Sequence, residues 1–191
     1  VLLFSNSLGA DMRMWDDLVP LLLPYFRVLQ YDTRGHGGSI QASEGVTSSH
    51  PLTGHSHPVT GYTLDLLGQD VVDLLDLLEI PEVFFCGLSM GGLIGQWLGI
   101  HHPHRIKKMV LSNTAAKIGS DERWNGRIET VTRHGLNAIA DETMERWFTD
   151  GFRRSQPEKV AGTRAMFLHS DVGGYAHCCA AIRDADFREQ L

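Results

Sequence analysis

The chain has 191 residues, of which 42% are hydrophobic and 21% are charged, and its net charge is −6. This length and composition are typical of a globular protein with one substantial core. The acidic balance without a long basic run argues against nucleic-acid binding, and no apolar stretch is long enough to span a membrane.

Four short apolar runs are typical of buried β-strands, and helical patterns separate them. Strands that alternate with helices predict a mostly parallel α/β sheet with right-handed crossovers. The clearest helix is Leu64–Leu78, where apolar residues recur at helical spacing behind Thr63 as N-cap. We also expect helices over Met14–Leu23 and Met90–His101. The predicted strands are Val1–Ser5, Val28–Tyr31, Val83–Cys86 and Met109–Ser112.

A polar segment rich in Gly, Ser, His and Pro occupies Ile40–Gly61 and predicts a long, mobile loop. The spacing of His50, His55 and His57 could recruit a metal ion, but no cysteine or carboxylate accompanies these histidines. We therefore expect a solvated loop and no metal site or cofactor.

After Thr114 the pattern changes, and residues 117–191 contain no convincing buried strand. We expect an α/β core over residues 1–114 and a helical cap, with the start of the return to the core, over residues 115–191. The predicted cap helices are Arg123–His134, Leu136–Trp147, Pro157–Phe167 and Tyr175–Arg183.

The pentapeptide G-L-S-M-G at Gly87–Gly91 lies between a predicted strand and a predicted helix. That context favours a nucleophile elbow, in which Ser89 sits on a sharp turn and projects its hydroxyl from the sheet. A serine nucleophile that attacks an acyl group needs donors for the developing oxyanion. We expect these to be the Met90 N–H, directly after the serine, and the Leu8 N–H in the loop after the first strand.

A second loop, Asp32–Ser39, follows the second predicted strand. We expect Asp32 and Arg34 to fix its geometry by hydrogen bonding or ion pairing. His36 could be mistaken for a general base, but its neighbours favour a structural role.

No convincing acid and base accompany Ser89. The order nucleophile, acid, histidine is met formally by Asp171 and His177, but Asp171 follows no strand, whereas a triad acid normally does. After the fourth strand the chain has Asn113, which cannot be an anionic partner. We therefore expect the triad acid and histidine to lie outside this chain.

The sequence begins inside a predicted strand at Val1, without an initiator methionine. We expect a segment of a longer protein that lacks flanking strands, with exposed sheet edges and uncovered apolar surface. The odd number of cysteines, three, does not indicate a disulfide framework, which favours a reducing, cytoplasmic setting.

Further motifs extend over nearly the whole chain, in the segments Phe4–Asp11, Tyr31–Ser39, Tyr62–Gly68, Phe85–Gly99, Leu111–Gly119, Trp124–Ile128 and Cys178–Asp186. Through them the chain resembles the 3-oxoadipate enol-lactonases of the α/β-hydrolase superfamily. The resemblance implies cofactor-free hydrolysis of a small anionic enol-lactone in bacterial breakdown of aromatic compounds, with Ser89 as nucleophile. The chain departs from the family in its missing first strands, its longer loop at Ile40–Gly61 and its missing C-terminal triad segment.

The resemblance also implies a donor in the cap for the substrate carboxylate, and Arg133, Arg127 and Trp124 are the candidates. The alternative for the arginines is a solvated helix face, and for Trp124 a core position. Two alternatives for function remain open: another esterase or haloperoxidase-like enzyme of the superfamily, or a catalytically incomplete fragment. We expect the 191-residue chain alone to show little turnover, and the sequence predicts no particular oligomeric state.

Overall fold

The computed structural model of the protein describes residues 1–40 and 61–191. Most of the predicted loop at Ile40–Gly61, with its histidines His50, His55 and His57, lies outside the described residues. None of the helices in the two described ranges combines the length and the apolar composition needed to cross a membrane.

The described residues form one four-stranded sheet in which every neighbouring pair is parallel. In chain order the strands are β1 (Leu2–Ser5), β2 (Val28–Gln30), β3 (Val83–Leu88) and β4 (Ile106–Ser112). Their order in the sheet is β2-β1-β3-β4. Leu3 of β1 pairs with Leu29 of β2 on one side and with Phe85 of β3 on the other. The four predicted strands and their parallel arrangement are therefore confirmed.

Helices α2 (Leu64–Leu77) and α3 (Met90–His101) confirm two of the predicted helices. The Thr63 hydroxyl accepts the Leu66 N–H at 3.1 Å, as expected of an N-cap. The predicted helix over Met14–Leu23 is wrong. In its place are a 3₁₀ turn, Met12–Trp15, and a single turn, α1 (Val19–Leu22). Pro20 explains the break, because proline lacks an N–H and is tolerated only in the first turn of a helix.

The two faces of the sheet differ in what covers them. On one face α3 packs closely over β3 and β4, and a Cβ at Gly95 would lie 2.6 Å from the Phe85 ring and 2.7 Å from Leu111. On the other face, side chains of β1, β3 and β4 line an open apolar groove of about 460 Å³. Val110 in this groove is 61% exposed, which agrees with the expected uncovered apolar surface.

The second half of the described chain is helical, as predicted, and the four helices expected there are present. The structure adds a short helix that the sequence did not predict, α6 (Asp150–Ser155), which the Thr149 hydroxyl caps by accepting the Phe152 N–H at 3.3 Å. One continuous hydrophobic core joins the sheet to these helices and includes Leu3, Phe167 and Ile182. The helices are α4 (Asp121–His134), α5 (Asn137–Trp147), α6 (Asp150–Ser155), α7 (Pro157–Leu168) and α8 (Val172–Asp184).

Candidate active site

Ser89 forms the junction between β3 and α3 in a strained backbone conformation, with φ 55° and ψ −109°. Its N–H donates to the Ser112 carbonyl at 2.9 Å, and its carbonyl accepts the Leu93 N–H at 3.1 Å. A non-glycine residue in such a conformation costs about 1–3 kcal/mol and persists only where the surrounding structure enforces it. The side chain is partly exposed, and its hydroxyl makes no hydrogen bond with a described residue, so it is available to a ligand.

Two glycines that flank the serine allow backbone segments to approach more closely than a side chain at either position would permit. A Cβ at Gly87 would lie 2.3 Å from the Gly91 carbonyl oxygen. A Cβ at Gly91 would lie 2.1 Å from the Ser5 carbonyl oxygen, and the Gly91 N–H donates to the Asn6 carbonyl at 3.0 Å. The N-terminus of α3 therefore lies directly against the loop that follows β1.

This contact brings the two expected oxyanion donors to the same end of the sheet. Leu8 and Met90 are both buried. Across the described part of the chain, neither backbone N–H forms a hydrogen bond. A buried N–H without a partner is rare and costly. Each N–H is therefore free to bind a ligand oxygen, and that both bind the same oxygen, as an oxyanion hole, remains a prediction.

Asn6 anchors the loop that carries Leu8. Its Nδ2 donates to the Tyr31 carbonyl at 2.8 Å, and its Oδ1 accepts the Trp15 indole N–H at 2.7 Å. The Asn6 side chain is fully buried, and these two hydrogen bonds engage both its amide nitrogen and its amide oxygen. The sequence analysis did not predict this anchoring role. The feature that could have indicated it is the position of a polar asparagine directly after an apolar strand.

His36 confirms the structural interpretation. Its Nε2 accepts the Gly9 N–H at 2.9 Å, so the proton must lie on Nδ1, which is 3.0 Å from the Arg34 carbonyl and donates to it. The ring is fully buried, and this burial lowers the pKa of His36. A neutral imidazole with both nitrogens engaged holds the loop after β1 in place.

Asp32 and Arg34 also have the predicted scaffold roles. The Asp32 carboxylate accepts the Met12 N–H at 2.7 Å and the Gly38 N–H at 2.8 Å. The Arg34 guanidinium donates two hydrogen bonds to Asp70 on α2, at 2.5 and 2.7 Å. These contacts tie the second loop to α2 and to the first loop.

The formal triad of Ser89, Asp171 and His177 does not assemble. Asp171 is the N-cap of α8, and its carboxylate accepts the Gly174 N–H at 2.5 Å. The His177 ring packs edge-on against Tyr62, with ring centroids 5.0 Å apart. Within residues 1–40 and 61–191, no histidine or carboxylate forms a hydrogen bond with Ser89.

The three candidates for carboxylate binding lie in different surroundings. The Trp124 indole N–H donates to the Ile118 carbonyl at 2.6 Å, so the protein already uses this donor. Arg133 is 69% exposed and pairs with Glu129 at 2.9 Å, one turn away on α4. Arg127 is half-buried, and its guanidinium donates to two neutral oxygens, the Tyr175 hydroxyl at 2.7 Å and Thr143 Oγ1 at 3.0 Å.

A comparison of sequences places the chain among known hydrolases. The profile of the "alpha/beta hydrolase fold" family matches residues 1–188. Two curated relatives from Acinetobacter baylyi are 3-oxoadipate enol-lactonase 2, which is 44% identical, and 3-oxoadipate enol-lactonase 1, which is 39% identical. Each match covers 100% of this chain and 65% of the relative, so the chain spans less than two thirds of their length.

A comparison of structures agrees. The crystal structure of the enol-lactonase from Burkholderia xenovorans LB400 is similar with a TM-score of 0.86 and 43% identity. The match covers 99% of this chain and 66% of that one.

Proposed function

This chain belongs to the α/β-hydrolase fold family, and on that premise we propose that the whole protein hydrolyses 3-oxoadipate enol-lactone. The observation that carries the proposal is the strained Ser89 at the β3–α3 junction, beside the unused N–H groups of Leu8 and Met90. Relatives that bear the enol-lactonase name, at 39% and 44% identity, favour this substrate over other esters of the family.

In the proposed reaction the Ser89 oxygen attacks the lactone carbonyl carbon, and its proton passes to a histidine base. The carbonyl oxygen becomes an oxyanion that accepts hydrogen bonds from Leu8 and Met90. The ring C–O bond then breaks and expels an enolate, which takes up a proton and becomes a ketone. Water hydrolyses the acyl-enzyme and releases 3-oxoadipate, so the reaction needs no cofactor.

We infer that the histidine and its acidic partner come from parts of the whole protein outside residues 1–191. Ser89 is the proposed nucleophile and the Leu8 and Met90 N–H groups are the proposed oxyanion donors, but no described residue forms a hydrogen bond with the Ser89 hydroxyl. Loss of triad members leaves only residual catalysis by the oxyanion hole and by binding. The 191-residue chain alone is then expected to show little or no turnover.

We assign the substrate carboxylate to the helical segment, which we propose to be a cap over residues 115–191 on a core of residues 1–114. Arg127 is the best supported of the three candidates. The Trp124 N–H already donates to the Ile118 carbonyl, and the exposed Arg133 forms an ion pair with Glu129. The free thiols of all three cysteines support a cytoplasmic location.

The test compares two substrates on the purified whole protein and its Ser89→Ala variant. We expect Ser89-dependent release of 3-oxoadipate from the enol-lactone, with a higher kcat/KM than for a neutral aryl acetate. A preference for the aryl ester would instead assign a general carboxylesterase activity. Lactone hydrolysis that survives in Ser89→Ala would remove Ser89 from the mechanism.

A further inference from the structure

The turn that carries the Leu8 N–H is held by two different parts of the chain. The Ala10 N–H donates to the Ser7 carbonyl at 3.1 Å and closes a four-residue turn around Leu8 and Gly9. Gly9 has a φ of 79°, as expected for the third residue of a type II turn. The loop after β2 contributes His36, which accepts the Gly9 N–H at 2.9 Å. The helices that follow β4 contribute two aromatic rings.

The rings belong to Phe167 on α7 and Tyr175 on α8. A Cβ at Gly9 would lie 2.6 Å from the Phe167 ring and 3.2 Å from the Tyr175 ring, so the two rings fill the space beside the Gly9 α-carbon. They meet edge-on, with ring centroids 5.6 Å apart and planes at 86°. Both side chains are fully buried. Because a packed interior leaves little room for other rotamers, the rings restrict the movement of Gly9.

The Tyr175 ring is fixed relative to the loop after β2 by backbone contacts. A Cβ at Gly35 would lie 2.5 Å from the α-carbon of Gly174, which directly precedes Tyr175 in the chain. The Asp171 N–H also donates to the Gly35 carbonyl at 2.9 Å. The Tyr175 hydroxyl accepts a hydrogen bond from Arg127 Nε at 2.7 Å, which fixes the other end of the side chain. The ring therefore has a defined position against the turn.

We propose that Phe167 and Tyr175 are positioning residues, which hold the Leu8 N–H in the orientation that binds the oxyanion. The proposal rests on the proposed hydrolytic function and gives the helices after β4 a part in the chemical step. Glycine has more accessible backbone conformations than other residues, so without the rings Gly9 and the peptide groups beside it can turn away. A donor lowers the barrier only if it already points to where the oxyanion develops.

This role predicts an effect on the chemistry that does not depend on the charge of the substrate. The test measures kcat and KM of the whole protein on the enol-lactone and on a neutral aryl acetate. We expect Phe167→Leu to lower kcat about ten- to a hundredfold on both substrates and to change KM by less than about threefold, because a misplaced donor weakens only the transition state. A residue that only bound the acid group of the lactone would affect the lactone alone.

Two variants of Tyr175 separate its ring from its hydroxyl. Tyr175→Leu removes the ring and should lower kcat on the aryl acetate about tenfold. Tyr175→Phe keeps the ring beside Gly9 and loses only the bond to Arg127. Its kcat on this substrate should therefore stay within about threefold of the wild-type value. Equal losses in the two variants would refute the role assigned to the ring.

The matched control is Phe187→Leu, an identical change at a buried position beyond the end of α8, where the Phe187 N–H donates to the Ala116 carbonyl. It should lower the melting temperature as Phe167→Leu does, yet leave kcat within about twofold. If Phe187→Leu lowers kcat as much as Phe167→Leu, the loss comes from weakened packing in general and the positioning role is refuted. Thermal melts show whether each variant is folded, and Tyr175→Leu serves if Phe167→Leu does not fold.

Hydrogen exchange of the Gly9 amide separates this proposal from the assignment of function, because the measurement needs no substrate. Phe167→Leu should speed this exchange about tenfold or more, as the turn opens more often, whereas Phe187→Leu should not. If the whole protein does not hydrolyse the lactone but Phe167→Leu selectively speeds the exchange and lowers kcat on the aryl acetate, the lactonase function falls and the positioning role stands. If the lactone is hydrolysed and both ring variants leave exchange and kcat unchanged, the positioning role is refuted and the lactonase function stands.

Discussion

His36 and Gly9 are joined by a hydrogen bond of 2.9 Å, in which a buried imidazole nitrogen accepts a backbone N–H from the loop after β1. Gly9 has a φ of 79°, which favours glycine, and follows Leu8 directly. The conformation of the loop therefore depends on a side chain contributed by the loop after β2. This relationship makes His36 a residue that positions the Leu8 N–H without reaching it.

Two substitutions of His36 separate its two hydrogen bonds. Gln can still accept the Gly9 N–H, whereas Leu leaves both this N–H and the Arg34 carbonyl without a partner. Each buried group left unsatisfied costs about 1–3 kcal/mol. We expect His36→Leu to lower the free energy of unfolding more than His36→Gln, as measured by urea denaturation at pH 7.5. Equal losses would show that the bond to Gly9 contributes little.

The same residue predicts a pH dependence of stability. Burial depresses the pKa of His36 in the folded state below its ordinary value of 6.5. Between these two pKa values the unfolded chain binds more protons, so the His36 contribution is complete above pH 6.5 and declines as the pH falls through the folded-state pKa. Wild-type protein should lose more stability between pH 7.5 and 5.5 than His36→Gln. Parallel losses in the two proteins would contradict this.

Arg105 and Asp76 form an ion pair whose two members should differ in importance. The Arg105 side chain is 10% exposed and also donates to the carbonyls of Pro81 and Ile80, at 2.7 and 2.8 Å. Asp76 is 63% exposed, and such ion pairs contribute about 0–1 kcal/mol. We expect Arg105→Met to cost about 2–4 kcal/mol because two carbonyls lose their donor. Asp76→Asn should cost under about 1 kcal/mol, and denaturant midpoints of the two variants provide the measurement.

Gly91 and Gly126 are both helical glycines but should respond oppositely to alanine. At Gly91 a Cβ would lie 2.1 Å from the Ser5 carbonyl oxygen, and backbone cannot turn aside as a side chain can. At Gly126 on α4 nothing lies within 4 Å of the added atom. We expect Gly91→Ala to destabilise the protein severely and Gly126→Ala to stabilise it by about 0.5–1 kcal/mol. Thermal melts distinguish these outcomes, and a neutral Gly91→Ala would show that α3 can shift.

The sequence was sufficient to predict those elements whose structure depends on local patterns of residues. Periodicity predicted all four strands, and α3 has the predicted bounds. Strand β3 extends two residues further than expected because Gly87 and Leu88 continue to pair with β4. Ser89 was recognisable because its motif spans only a strand end and a helix start.

Contacts between residues that are distant in the chain could not be predicted from such local patterns. Gly9 and His36 are 27 residues apart, and Arg127 and Tyr175 are 48 residues apart. No periodic signal relates such pairs, since they meet only after the sheet and the later helices have packed. The α6 turn was not predicted because six residues give too little periodicity.

The strain at Ser89 can be separated from its chemistry with two variants that both lack the hydroxyl. Ser89→Gly and Ser89→Ala should each lose about 10⁴-fold or more in kcat in the whole protein, if Ser89 is the nucleophile. They differ only in the Cβ atom, which is unfavourable at φ 55°. We therefore expect Ser89→Gly to be more stable than Ser89→Ala by about 1–2 kcal/mol, despite the greater chain entropy of glycine. Calorimetry of the two variants provides the measurement. If Ser89→Gly has the lower melting temperature, the backbone conformation at residue 89 carries no energetic cost for a residue with a Cβ atom.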